Sequence, residues 1–339
     1  MLSKKIKSLF IDFFFKNGHH ILKSKSLLNK NVDDVFFTNS GMVPFKKFFM
    51  EKTKTHYSNI ATIQRCIRVG GKHNDLFNVG YTLRHQTFFE MMGNFSFNCY
   101  FKEQAIFFSW QFIIRELFLE KKRIYITVHY NDYESYNLWC KISSLNKKQI
   151  IKIKNEDNFW SMGKFGPCGY STEIFYDYGN KYNNLLSLES KIYNNRYIEI
   201  WNIVFIQFNK INKKKIVNLS KKYVDTGMGL ERITAVLQGV FSNYKTEIFN
   251  YLITKSKNIS YDLNNQTTHQ ILSDHIRSIC FLISDDLSPS YEGKGYILRK
   301  IIRRFIRYTY NLKRIKKILL YILASKFIYY HNILKKKKS

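Results

Sequence analysis

Apolar residues recur at Ile6, Leu9, Phe10, Phe13 and Phe14, a spacing that gathers them on one helical face and predicts a helix near the start of the chain. The segments RIYITVHY from Arg123 and YIEIWNIVFIQFN from Tyr197 are rich in β-branched and aromatic residues and read as strands. Between them, EQAIFFSWQFIIREL from Glu103 reads as a helix. Residues 61–95 parse as strand, loop, strand: ATIQRCIRV, then GGKHNDLFNVG, then YTLRHQTFFEMMGNF. Strand signals fade after Phe241, where HQILSDHIRSICFLI and GYILRKIIRRFIRYTYNLKRIKKILLYILASKFI are helical. The pattern predicts an α+β fold, a largely antiparallel sheet flanked by helices over residues 1–240, followed by an all-helical basic domain over residues 241–339. An Asn-rich stretch at 180–195 is expected to be a loop and Lys210 to Lys222 a charged connector.

Composition narrows the class of partner. The 339 residues are 45% hydrophobic, enough for a sizeable core, and 55 Lys and Arg against 25 Asp and Glu leave a formal charge of +30. A field of that sign concentrates polyanions such as nucleic acid. Cys66, Cys99, Cys140, Cys168 and Cys280 show no C-x-x-C spacing, which argues against both a disulfide framework and a zinc site. Asp12 interrupts the apolar N-terminal stretch and no small-residue cleavage site follows, so a helix is expected there and not a signal peptide. The apolar run from Ile318 contains Lys326 and His331, which favours a buried or partly RNA-facing helix over a membrane span. A cytoplasmic monomer is expected.

Two clusters carry chemistry. Gly70 and Gly71 permit positive φ and close backbone approach, and Arg68, Lys72 and His73 place cationic donors around them, a combination suited to phosphate and, taken alone, equally to an ordinary solvated β-hairpin. In VDTGMGLERITAVLQ from Val224, glycines end a strand and Glu231 and Arg232 open a helix.

These clusters resemble the motifs of class II aminoacyl-tRNA synthetases. Gly227, Gly229, Glu231 and Arg232 match motif 3, the strand carrying Arg68 matches motif 2, and FFTNSGMVPFKKFF with Pro44 matches motif 1. The words QRCIRVGGKHND, DNFWSMG, IEIWNIVFIQFN, SDHIRSICFLISD and GYILRKIIRR are similar to the alanyl-tRNA synthetase family in particular, from about Ile6 to about Tyr308. The resemblance implies ATP-dependent activation of alanine and transfer to alanine tRNA, with magnesium accompanying ATP and no zinc. It implies catalytic roles for Arg68 on the α-phosphate and the alanine carboxylate, and for Arg232 on the γ-phosphate. ATP contacts would come also from Lys72, His73, Arg84, His85, Gly229 and a stacking Phe89, or Phe88 if the register differs by one. Asp225 would take the alanine ammonium, Trp160 and Val204 would wall its methyl, and Asn202 and Gly227 would complete the pocket; from the residues alone, Val204 on an alternating strand fits core as well as pocket, and Trp160 fits a core aromatic too. Tyr291, Lys294, Arg299, Arg303 and Arg304 would bind tRNA.

The chain departs from the family pattern in places. Lys164, Phe165, Tyr170 and Ser171 replace expected residues around GPCG, and Tyr291 stands where the family has an asparagine that reads a G·U pair. The family's editing and C-terminal domains find no match, so a minimal enzyme is expected. Two alternatives stay open from the residues themselves: a synthetase-like RNA-binding protein without catalysis, and an alanine-activating enzyme that loads a different carrier.

Overall fold

The computed structural model describes residues 1–29, 35–50, 55–70, 74–154, 156–179, 196–213, 215–260, 262–310 and 312. The expected loop at 180–195 and the apolar run from Ile318 lie outside the described residues, as do Gly71, Lys72 and His73. In chain order the elements are α1 (Ser3–Lys16), β1 (His20–Leu22), α2 (Lys46–Phe49), β2 (Asn59–Ile67), β3 (Phe88–Phe97), α3 (Lys102–Gln111), β4 (Ile124–His129), α4 (Tyr133–Ser143), β5 (Ile150–Ile153), β6 (Phe159–Ser161) and β7 (Gly166–Asp177). They continue with β8 (Tyr197–Lys210), β9 (Ile216–Gly229), α5 (Leu230–Leu237), α6 (Glu247–Ile259), α7 (Gln266–Ser284) and α8 (Gly293–Tyr310). The fold is α+β.

The strands form one sheet in the order β1-β2-β3-β9-β8-β7-β4-β5, with β6 added on β7. Its inner pairs are antiparallel; β1 and β5 attach in parallel at the two edges. Period-two alternation gives the sheet two different faces. On one, Met92, Trp201, Ile203, Phe205 and Val224 join Ile6, Phe10 and Phe14 of α1 in the largest apolar cluster. Phe10 meets Phe112 edge-on at 5.4 Å, so the spacing that predicts the first helix also supplies its core contact. The opposite face carries the cavities described below.

Helices α6 to α8 account for the chain after residue 246 among the described residues. Leu272, Ile276, Leu298, Ile301 and Phe305 from α7 and α8 share an apolar cluster with Leu27, Ile67, Leu76 and Phe88. The helical segment thus leans on the sheet's first half through a common core. No helix among the described residues is long and apolar enough to cross a membrane.

Two expectations about the strands need correction. Residues 81–87 are not strand: β3 begins only at Phe88. Their backbone groups are claimed by side chains from far along the chain. Ser242 Oγ donates to the Leu83 carbonyl at 3.2 Å, Asn243 Nδ2 to that of Arg84 at 3.2 Å and Tyr244 Oη to that of His85 at 2.7 Å. Asp274 takes the Thr87 N–H at 2.8 Å. Held this way, the segment has no ladder partner to require. The charged connector is also shorter than expected, because β9 already starts at Ile216 and pairs Ile216 with Lys210. Its alternating exposed residues make a two-stranded arm out of what composition suggests is loop.

Candidate active site

A cavity of about 1070 Å³ opens on the sheet face that α1 leaves uncovered, and a second of about 470 Å³ adjoins it. Strand alternation and register decide what faces them. On β8, Asn202 and Val204 point to the cavity while Trp201, Ile203 and Phe205 point to the core. Register then sets Val204 beside Asp225 and Asn202 beside Gly227 on β9. Trp160 on β6 and Arg68 just past β2 complete the wall. Thus Arg68, Trp160, Asn202, Val204, Asp225 and Gly227 meet in the larger cavity. Val204 is both pocket lining and core, being 3% exposed. A Cβ at Gly227 would lie 2.9 Å from Met91 Sδ, so a glycine there keeps the cavity floor open.

The smaller cavity collects Arg84, His85 and Arg232. Glu173 and Glu199 line both and form the boundary between them. Arg68 and Phe89 come together outside that group: the Arg68 guanidinium lies 4.9 Å over the Phe89 ring, and its Nε donates to the Asn39 carbonyl at 3.1 Å. Phe88 is separate. It stacks on Phe281 at 4.2 Å in the buried cluster, which leaves Phe89 as the phenylalanine on the Arg68 side. Gly70 has φ +94, as a glycine in this position allows. Gly229 closes β9 and caps α5 with φ −70, lining neither cavity.

The electrostatics are those of a crowded, poorly solvated site. Burial pushes Asp225 up to about 7, and no cation pairs with it among the described residues. Glu173 is pushed up to about 8 by burial and then by the neighbouring Glu199, against a hydrogen bond of 2.9 Å from Asn202 Nδ2. Arg84 is lowered to about 10 by burial and by Arg232. His85 is held below the ordinary imidazole value by burial and, against the opposing Asp75, by Arg232, Arg68 and Arg84, which together favour the uncharged ring. Arg232 Nη1 donates to a Glu199 carboxylate oxygen at 2.8 Å.

Glu231, next to Arg232, does different work. It is 1% exposed, pairs with buried Arg277 at 2.8 Å and accepts from the Glu90 N–H, tying α5 to α7 and β3. The residues that sequence reasoning missed are Glu173 and Glu199. Both sit inside strand words, EIFYD and IEIWN, where a carboxylate on an apolar strand is itself the signal. Conversely, the unusual Lys164, Phe165, Tyr170 and Ser171 line neither cavity; Tyr170 packs on His129 at 4.6 Å.

On α8 the expected cations divide. Tyr291 is 86% exposed with Arg299 stacked 4.6 Å from its ring, and Arg303 is exposed. Lys294 instead donates to the Asn29 carbonyl, and Arg304 turns inward to the Leu76 carbonyl and His275.

Comparison with known proteins gives the family. The chain is 51% identical over 308 residues to the alanine–tRNA ligase of Ehrlichia canis, covering 91% of this chain and 35% of that protein. It is 47% identical over 307 residues to that of Neorickettsia sennetsu, covering 91% and 36%. Against that of Ehrlichia ruminantium the identity is 50% over 312 residues, covering 92% and 35%. The chain therefore spans about a third of the length of the curated relatives it matches. The sequence pattern of the tRNA synthetases of class II (A) runs over residues 5–337, and the chain belongs to that family.

Proposed function

We propose that this chain activates alanine with ATP, releasing pyrophosphate, and transfers the alanyl group to the terminal adenosine of alanine tRNA. The observation that carries this reading is that Arg68 and Asp225, a carboxylate binder and an ammonium binder, face one cavity with the small apolar wall of Val204 and Trp160 between them. Alanine offers those three handles and no more. The cavity continues past Glu173 and Glu199 into the arginine-lined space of Arg84 and Arg232, where a triphosphate would lie.

In-line attack of the alanine carboxylate on the α-phosphorus needs alignment and neutralised charge more than proton transfer. Arg68 holds both reacting anions with its planar fork. Arg232 and Arg84 take the outer phosphates, and Phe89 stacks on adenine beside Arg68. Neutral His85 donates or accepts a hydrogen bond without adding charge. Glu173 and Glu199, adjoining carboxylates at the boundary of the two cavities, are hard-oxygen donors fit for a magnesium ion and would hold it. A bound magnesium supplies charge neutralisation at the phosphates. Residues 1–240 would form the catalytic unit, and 241–339 would present half-buried Arg299 and exposed Arg303 of α8 to the acceptor stem.

Alanine-dependent exchange of pyrophosphate into ATP tests the reading. Exchange with alanine and none with leucine is expected; ATP binding without exchange under any amino acid would overturn it.

A further inference from the structure

Lys300, Arg304 and Tyr308 follow one another at four-residue spacing along α8 and so form one stripe. All three engage residues 76–81, which lead from β2 back toward β3. Lys300 Nζ lies 5.2 Å from the centre of the Phe77 ring. Arg304 Nη1 donates to the Leu76 carbonyl, and the Tyr308 hydroxyl shares a 2.8 Å hydrogen bond with that of Tyr81.

Arg304 reaches further than the other two. Its Nη1 also lies 3.1 Å from His275 Nε2, and His275 Nδ1 lies 2.8 Å from the Asp274 carboxylate. An arginine can only donate, so Nε2 accepts and the Nδ1 proton goes to Asp274, which fixes a neutral tautomer. Burial of His275 favours the same uncharged ring. Asp274 in turn takes the Thr87 N–H at 2.8 Å and the Thr87 hydroxyl at 2.5 Å. Thr87 stands between Arg84–His85 and Phe89. A continuous polar chain therefore runs from the outer helix to the segment that presents those side chains.

We propose that this stripe, and Arg304 in particular, positions Arg84, His85 and Phe89, so that α8 is divided lengthwise between two tasks. Arg303 and Arg307 are exposed and Arg299 stacks on Tyr291, whereas Arg304, Tyr308 and the exposed Lys300 contact residues 76–81, and Arg304 reaches Thr87 through His275 and Asp274. The proposal rests on the nucleotide reading of Arg84, His85 and Phe89 given above. Its physical basis is that residues 82–87 lie outside the strands. Among the described residues, only their Leu83 and Thr87 carbonyls are taken by backbone N–H groups, of Asn243 at 3.0 Å and Arg68 at 2.9 Å, and the Arg84 and His85 carbonyls and the Thr87 N–H are held by side chains. Asp274 can hold Thr87 only while His275 is oriented, and Arg304 orients it. A misplacement of about 1 Å among substrate-positioning groups can cost roughly a hundredfold in rate.

The test uses Arg304→Ala and Arg304→Lys in the full chain. Amide hydrogen exchange over residues 78–87 should quicken about tenfold in Arg304→Ala while the amides of α5 keep their wild-type rates. In pyrophosphate exchange the KM for ATP should rise about tenfold and that for alanine by less than twofold. Arg304→Lys, which retains a donor for the Leu76 carbonyl, should recover most of both. Unchanged amide exchange over 78–87, or equal acceleration there and in α5, would overturn the tether. Local quickening in a chain whose wild type performs no pyrophosphate exchange would leave the tether standing and refute the nucleotide reading.

Discussion

Arg232 donates to Glu199 over 2.8 Å, and Glu199 borders both cavities, so the cation faces the smaller cavity with its charge already partly matched. Under the proposed function, incoming phosphates would draw the guanidinium off that carboxylate, and Glu199 would then be open to a metal ion. The pair would act as a place-holder for the two charges that ATP and magnesium bring together.

Replacing Arg232 by Ala should therefore depress adenylate formation by about 10²–10³-fold, the scale seen when one preorganised electrostatic donor is removed. Arg232→Lys should recover only part, since an ammonium lacks the planar fork. Pyrophosphate exchange at saturating alanine measures this. A loss under threefold in Arg232→Ala would end the assignment.

Asp225 should make alanine use depend on pH. Its carboxyl titrates near 7, and only the ionised form pairs with an ammonium. The KM for alanine should rise as pH falls from 8 to 6, by up to about tenfold per unit below the pKa, while the KM for ATP stays level. Asp225→Asn should raise the alanine KM about tenfold to a hundredfold at pH 8, the worth of a hydrogen bond to a charged group, and abolish the pH dependence. An alanine KM in Asp225→Asn that still follows pH would assign the titration elsewhere.

Stability should carry the signature of Glu173. Its folded-state value of about 8 lies above the ordinary 4.5, so between those limits the folded protein keeps a proton that the unfolded chain has released. Stability must then fall as pH rises through that window. Asp225, raised from 3.8 to about 7, acts in the same direction. Glu173→Gln should flatten the fall in Tm between pH 5 and 8. A Tm that climbs with pH equally in wild type and variant would mean that Glu173 ionises normally.

What the sequence made legible follows from range. The α1 stripe, the strands around Trp201 and the turn at Gly227 to Gly229 are written in periodicities a few residues long. Alternation on β8 was also enough to place Val204, though not to decide between core and pocket, because register with β9 makes it both. The failure at residues 81–87 has the opposite cause. Tyr81, Leu83 and Phe89, all at odd positions, imitate a strand, and the side chains that claim the carbonyls of residues 83–85 stand 159 residues away at Ser242, Asn243 and Tyr244. Arg304 shows the same limit: its spacing from Lys300 and Tyr308 is visible, but nothing local says that its guanidinium turns to Leu76 and His275 and not to solvent.

The buried pair of Glu231 and Arg277 should matter for folding more than for chemistry. Both side chains are about 2% exposed and join α5 to α7 at 2.8 Å. Arg277→Met strands a carboxylate in the interior and should cost about 3–5 kcal/mol, read as a large fall in Tm. Adding Glu231→Leu to Arg277→Met should return part of that loss. A double variant no better than the single would show that packing, not the unpaired charge, sets the cost.

The outward stripe of α8 supplies the last expectation. Arg303 and Arg307 are exposed, one helical turn apart on the same face, and Arg299 precedes them under Tyr291. Cations so placed bind phosphate by releasing condensed counterions, and removing one such cation should lower the slope of log Kd against log salt by about one. Arg303→Ala with Arg307→Ala should thus weaken tRNA binding most at low salt and cut the slope by roughly two. Arg304→Ala offers the internal comparison, because its guanidinium is committed to Leu76 and His275. It should leave that slope within about 0.5 of wild type. Titrating labelled alanine tRNA across roughly 50 to 300 mM salt distinguishes the two stripes, and an equal drop in slope for Arg304→Ala would place Arg304 on the RNA.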